Sequence, residues 1–173
     1  MAYPDSGITA FENGATYENI RQCLSDLDIV YSRTLGQDNN SFQVPTDWYQ
    51  WMPTAHHDNP LIFDYIKEFT EINLDNGYGC SRTPKLFYLW GHSYEFDRNH
   101  NWDHLVSICE KLGNRQDIWY ATNMEIYNYV TAYNSLEFSA DSKIVYNPTL
   151  LTVWFDIDGD LYSIKSGETL ILD

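Results

Sequence analysis

"PKLFYLWGHSYEF", residues 84–96, decides the fold. Leu86 to Trp90 form an unbroken apolar and aromatic run, the texture of a strand covered on both faces in a parallel sheet. Gly91 and His92 follow at once. His92 has two readings. It is a general acid or base presented at a strand end, where imidazole chemistry operates near neutral pH, or a strand-terminal residue satisfied by backbone.

Outward from this stretch, short apolar runs alternate with helical patterns. Tyr17, Ile20, Leu24 and Leu27 predict a helix over 15–27, and "DIVYSRT" (28–34) predicts a strand. A second helix is expected over 58–72, capped by Asp58, with Pro60 in its first turn and Ile62, Tyr65, Ile66 and Phe69 in one stripe. "NWDHLVSICEKLG" (101–113) predicts a helix closed by glycine, "DIWYATN" (117–123) a strand, and "MEIYNYVTAYNSL" (124–136) a helix. This order indicates βα units and a parallel sheet or barrel, whose site gathers at the C-terminal strand ends. Arg33-Thr34, Gly91-His92 and Thr122-Asn123 occupy such ends. Beyond residue 136, "KIVYN", "LTVWFDI", "DLYSIK" and "TLILD" predict a small antiparallel appendage over 137–173. Within "DIDGD" (156–160), Asp158-Gly159 is the usual pair for a two-residue hairpin turn, and the spacing fails for a calcium loop.

The 173 residues carry a net charge of −15, with 16% aromatics. A negative field repels phosphate backbones and anionic lipid, so nucleic acid and membranes are not expected partners. Carbohydrate is compatible, since pyranose faces stack on aromatic rings. Cys23, Cys80 and Cys109 form no CxxC pair, so no structural zinc knuckle or disulfide framework is indicated. No basic-then-apolar leader is present, which reads as cytoplasmic.

Two further clusters bear on chemistry. The long loop 35–57 holds Trp48, Tyr49 and Trp51, then leads into His56-His57-Asp58. Adjacent histidines in an extended segment point to opposite sides, so one at most is expected to face a site; His56 and His57 are weak metal candidates for want of a fixed ligand spacing. His100 and His104 stand at i, i+4, but the helix start falls between them and no Glu follows the first. A solvated surface is expected for both.

Taken together, "MAYPDSG", "DWYQWMPTAHHD", "LFYLWGHSYEFDRNHNWDHL", "DIWYATNMEIYNYV", "IVYNP" and "SGETL" resemble the NodB-type polysaccharide deacetylases, and within them a polysaccharide deacetylase-like bacterial branch. The resemblance implies an α/β fold: a partial (β/α) barrel over 1–136 with the β appendage over 137–173. It implies a hydrolase that removes acetyl groups from a carbohydrate with one divalent metal, commonly zinc. Tyr3 and Pro4 would line the substrate groove with Trp48, Trp51 and Trp90, and His92 would protonate the leaving group, with Gly91 inserted before it. The family's "FDDG" and "HSxxH" motifs, which carry the base and the metal ligands, do not occur in these residues. The chain is accordingly expected to be part of a longer enzyme, a remnant that pairs its open sheet edges in a homo-oligomer, or a protein with a metal site rebuilt from His56, His57 and His92. A non-catalytic carbohydrate-binding or interaction module is the alternative.

Overall fold

Four extended segments run parallel in the first part of the chain. Ala2 bridges Arg33 and Arg33 bridges Trp51, while strand β1 (Ala55–His56) pairs with β2 (Leu89–Trp90) in the register Ala55↔Leu89 and His56↔Trp90. Backbone bonds carry these pairings, including Tyr3 N–H to Arg33 O at 2.9 Å, Thr34 N–H to Trp51 O at 3.0 Å and His57 N–H to Trp90 O at 2.9 Å. The computed structural model describes residues 1–4, 7–8, 10–35, 38–73 and 83–172. Among these, the fold is mixed α/β with small sheets and no closed barrel.

The helices form where periodicity places them, with local caps deciding the ends. Helix α1 (Tyr17–Asp26) starts at Thr16, whose hydroxyl accepts from the Asn19 N–H at 3.2 Å. Helix α2 runs Ile62–Thr70, and Asp58 does not cap it. Asn59 takes that place in the approach, accepting from the Leu61 N–H at 2.7 Å, because Asp58 is turned toward His57. Helix α3 (Ser93–Asn99) follows β2 directly and ends at left-handed His100. Helix α4 (Trp102–Leu112) ends at Gly113 as its sequence predicts. One core joins α2, α4, β1 and β2: Phe42, Ala55, Ile62, Tyr65, Ile66 and Ile108, with Phe69, Phe87 and Leu89 against it. The apolar stripe of α2 therefore packs beside the strand pair that carries His56 and Trp90.

The chain divides into two compact units, Met1–Asp117 and Ile118–Asp173. This division falls before helix α5 (Asn123–Asn134), whereas the sequence reading put it after that helix. The reason is packing: α5 lies against β5 (Val153–Ile157) and contributes Ala132 to the core of Val145, Val153, Phe155, Ile164 and Leu172. No strand forms over 118–122; Trp119 and Tyr120 are exposed there. The second unit otherwise has the expected antiparallel texture. Strands β3 (Glu137–Phe138), β4 (Ile144–Tyr146) and β7 (Thr169–Ile171) make one sheet, and β5 pairs with β6 (Asp160–Ile164). Asp158 and Gly159 turn the β5–β6 hairpin with φ of 55° and 99°, the two positive values that a type I′ turn requires. Fully buried Asn147 ties the unit together, its amide nitrogen lying 2.7 Å from Leu151 O and 3.1 Å from Lys165 O.

Candidate metal and acid–base centre

The parallel pair β1–β2 ends at His56 and Trp90, and the chain beyond each strand supplies the site. After His56 the backbone turns: the Asn59 N–H reaches His56 O at 3.0 Å, and the Asp58 N–H reaches His56 Nδ1 at 3.2 Å. After Trp90, Gly91 leads to His92 and the first turn of α3. Glu95, three residues on, accepts from the His92 N–H at 2.8 Å, as a capping glutamate does.

Three imidazoles converge on that one carboxylate oxygen. Glu95 Oε2 lies 2.9 Å from His57 Nε2, 3.2 Å from His56 Nε2 and 3.4 Å from His92 Nδ1. The strict alternation expected of His56 and His57 therefore fails. The strand stops at His56 and the turn brings both rings to one side, their centroids 4.3 Å apart. His57 is buried and its ring lies on Phe96, centroids 4.2 Å apart, whereas half of the His92 side chain is open to solvent. Burial acts to raise the Glu95 pKa. The hydrogen bond to His57, the His92 N–H and the attraction of His56 and His57 outweigh it and hold the carboxyl at about 2.

Gly91 makes this approach possible. A β-carbon at that position would stand 2.0 Å from His57 Cδ2 and 2.9 Å from its Nε2, and the backbone φ there is +156°. The inserted glycine before His92 is thus the space into which the His57 ring fits.

His57 Nε2, His56 Nε2 and a Glu95 oxygen lie within one ligand sphere and could hold a cation. Ligands about 2.1 Å from a tetrahedral centre stand roughly 3.4 Å apart, close to the separations of 2.9 and 3.2 Å found here. The other nitrogen of His57 stands 3.0 Å from Asp58 Oδ1 but out of line for a hydrogen bond, so the ring is placed by Glu95 and Phe96 rather than by Asp58. Both rings carry a proton on Nε2: the His56 Nδ1 accepts from the Asp58 N–H, and the Glu95 carboxylate can only accept from His57 Nε2. A cation at either Nε2 would displace that proton, and at His56 would also cost the bond from the Asp58 N–H.

The structure brings His92, His56, His57 and Trp90 together. The Trp90 ring is 4.5 Å from His56 and 5.9 Å from His92, with the Arg33 guanidinium 4.5 Å over it. Arg33 is held by the segment that carries Tyr3, through the 2.9 Å backbone bond from the Tyr3 N–H. Tyr3 is buried, Pro4 is exposed, and Trp48 is half-buried with its ring edge-on to Trp51 at 5.0 Å. Trp51 is 1% exposed and packs against Tyr31, Trp48 and Tyr88, so its ring belongs to the interior. His104 is not the solvated residue its spacing predicts: its Nε2 meets His57 O at 2.7 Å and fixes the turn from the far helix. Thr122-Asn123 begins α5 in the second unit, with Thr122 as its cap. Cys23 and Cys109 are free and exposed; Cys80 lies outside the described residues.

Glu95 is the site residue that the sequence reading does not name. Its signal is the spacing of a glutamate three residues after a strand-end residue that opens a helix.

The chain matches no family model, no curated protein and no solved structure among known proteins. Among the described residues, no helix is long and apolar enough to cross a membrane.

Proposed function

We propose that this centre is hydrolytic and divalent-metal-dependent, acting to remove acetyl groups from a carbohydrate. One observation carries the reading: His56, His57 and His92 surround a single Glu95 oxygen at the C-terminal end of a parallel strand pair. Functional groups gather at such ends in α/β folds. Two imidazoles and one carboxylate form a donor set suited to zinc with an open fourth position. The cation's contribution, when bound, is Lewis acidity toward a carbonyl oxygen. The partial-barrel architecture belongs to the same proposal, supported by the parallel order 2, 33, 51 and by the β1–β2 pair.

The residues then divide the work. His56, His57 and Glu95 hold the cation, Asp58 adds a negative charge 3.0 Å from His57 Nδ1, and Gly91 admits the ring. His92 borders the same oxygen and is half open, so it can reach an incoming sugar. In hydrolysis, water adds to the acetyl carbon and the bond from that carbon to the sugar nitrogen or oxygen breaks. His92 delivers the proton that the departing sugar atom takes and regains one from the water that adds; acetate leaves, and the second water proton passes to solvent. Arg33 over Trp90 adds a fixed cation beside the centre, in a chain whose net charge is −15.

The test is acetate release from an acetylated chitooligosaccharide and from a chromogenic acetyl ester, with one equivalent of zinc. The reading expects activity that chelator removes and zinc restores. His92→Gln should lower turnover at least tenfold with zinc still bound. Stoichiometric zinc uptake with neither substrate cleaved would refute the hydrolytic assignment.

A further inference from the structure

The second unit carries a groove of about 650 Å³ framed by Trp119, Asn128, Tyr129, Leu151, Thr152 and Trp154. That volume lies within the range of small-molecule sites. Its rings are not ordinary core residues. Trp119 is 60% and Trp154 51% exposed, on a unit that has a separate core of its own.

The aromatic frame is fixed in place. Tyr129 projects from α5, and its hydroxyl accepts from the Trp154 N–H at 3.0 Å, locking the helix to strand β5. Trp119 stands edge-on against the Tyr129 ring at 5.4 Å. A ligand thus meets Tyr129 and Trp119 ring faces already positioned, which lowers the ordering cost of binding. One turn along α5, Glu125 also lines the groove, with its carboxylate engaged by the Thr122 N–H at 2.7 Å and hydroxyl at 2.8 Å. The Asn128 amide is exposed at the groove and offers both a donor and an acceptor.

Charge narrows the ligand class. Residues 118–173 hold eight carboxylates against two lysines, and no cationic side chain lines the groove. Phosphates, acidic sugars and nucleic acid are disfavoured. What remains is a neutral or cationic molecule with flat apolar faces and a rim of hydroxyls. A pyranose ring has that form: its C–H face stacks on indole, and its hydroxyls pair with an amide and a carboxylate. We infer that this groove is a binding subsite for a neutral or amino-sugar oligosaccharide, built by Trp119, Asn128, Tyr129 and Trp154. The subsite does not depend on the hydrolytic reading of the His–Glu centre.

The experiment is calorimetric titration of the metal-free full chain with N-acetylchitotriose and with cellotriose, followed in parallel by tryptophan fluorescence. Saturable binding of at least one trisaccharide is expected. Trp119→Ala and Trp154→Ala should each weaken it about tenfold, the scale of one lost aromatic contact. Both side chains are more than half exposed, so the variants should fold, and circular dichroism checks this. Asn128→Ala should weaken binding without disturbing the rings. Phe11→Ala, an exposed ring in the other unit, should leave it unchanged. Three outcomes would overturn the inference: no binding of either trisaccharide at about 10 mM, binding that survives both tryptophan variants, or capture of a proline-rich peptide with no trisaccharide binding.

Discussion

Replacing Gly91 with alanine tests the packing on which the centre depends. The new β-carbon would lie 2.0 Å from His57 Cδ2. Carbon atoms settle at about 3.5 Å or more, so roughly 1.5 Å must be recovered by movement. His57 has little freedom to give it, being buried, packed at a tilt on Phe96 and bound to Glu95 at 2.9 Å. Overpacking of this kind costs about 1–3 kcal/mol, and a side chain at φ +156° adds about 1–3 kcal/mol of backbone strain. Together these predict a loss of about 2–6 kcal/mol in urea unfolding of the metal-free chain. Zinc affinity, read by competition with a chromogenic chelator, should fall about 10- to 100-fold, because the ring is displaced from Glu95. The two contributions separate in a His57→Ala background. There the collision is gone, and Gly91→Ala should cost only the backbone part, about 1–3 kcal/mol. An identical cost in both backgrounds would refute the reasoning, since Gly91 would then owe nothing to the His57 ring.

Two other outcomes follow from the same geometry. Glu95 is held at about 2, below the 4.5 of an ordinary glutamate, so the unfolded chain takes up that proton first on acidification. Its stabilising contribution to the metal-free protein is complete above about pH 4.5 and is lost as pH falls toward 2. Glu95→Gln should flatten that limb of an acid unfolding curve, and an unchanged limb would contradict the assignment. Trp51→Ala should destabilise the fold by about 3–5 kcal/mol in denaturant, because the ring is 1% exposed among Tyr31, Trp48 and Tyr88. A variant of wild-type stability would place that ring outside the core.

What the sequence made legible was local. The period and ends of α1 and α4, and the positive φ pair at Asp158-Gly159, are set by neighbours a few residues away. The apolar run around Trp90 likewise identified a strand in parallel pairing and put His92 at its end. Nonlocal facts were harder to read. The alternation rule assigns His56 and His57 to opposite faces only while a strand continues, and this one stops at His56. Glu95 lies 38 residues from His57, so its role exists only once β1 and β2 have paired. His104 looked solvated because its partner is a backbone carbonyl 47 positions away. "DIWYATN" has a strand's composition, but composition does not provide a neighbouring strand, and among the described residues it enters no β pairing. The aromatic richness pointed to ring stacking without saying where. Trp51 went to the core, while Trp119 and Trp154 face a groove.

The central claim is that His56, His57 and Glu95 form a cation site. X-ray absorption at the zinc edge, on protein loaded with one equivalent, tests it most directly. Two imidazole nitrogens at about 2.0–2.1 Å with one carboxylate oxygen at about 2.0–2.2 Å are predicted. That signature should be lost in the double variant His56→Ala with His57→Ala. A sulfur shell at about 2.3 Å, placing zinc on the cysteines, or a first shell without imidazole, would contradict the account.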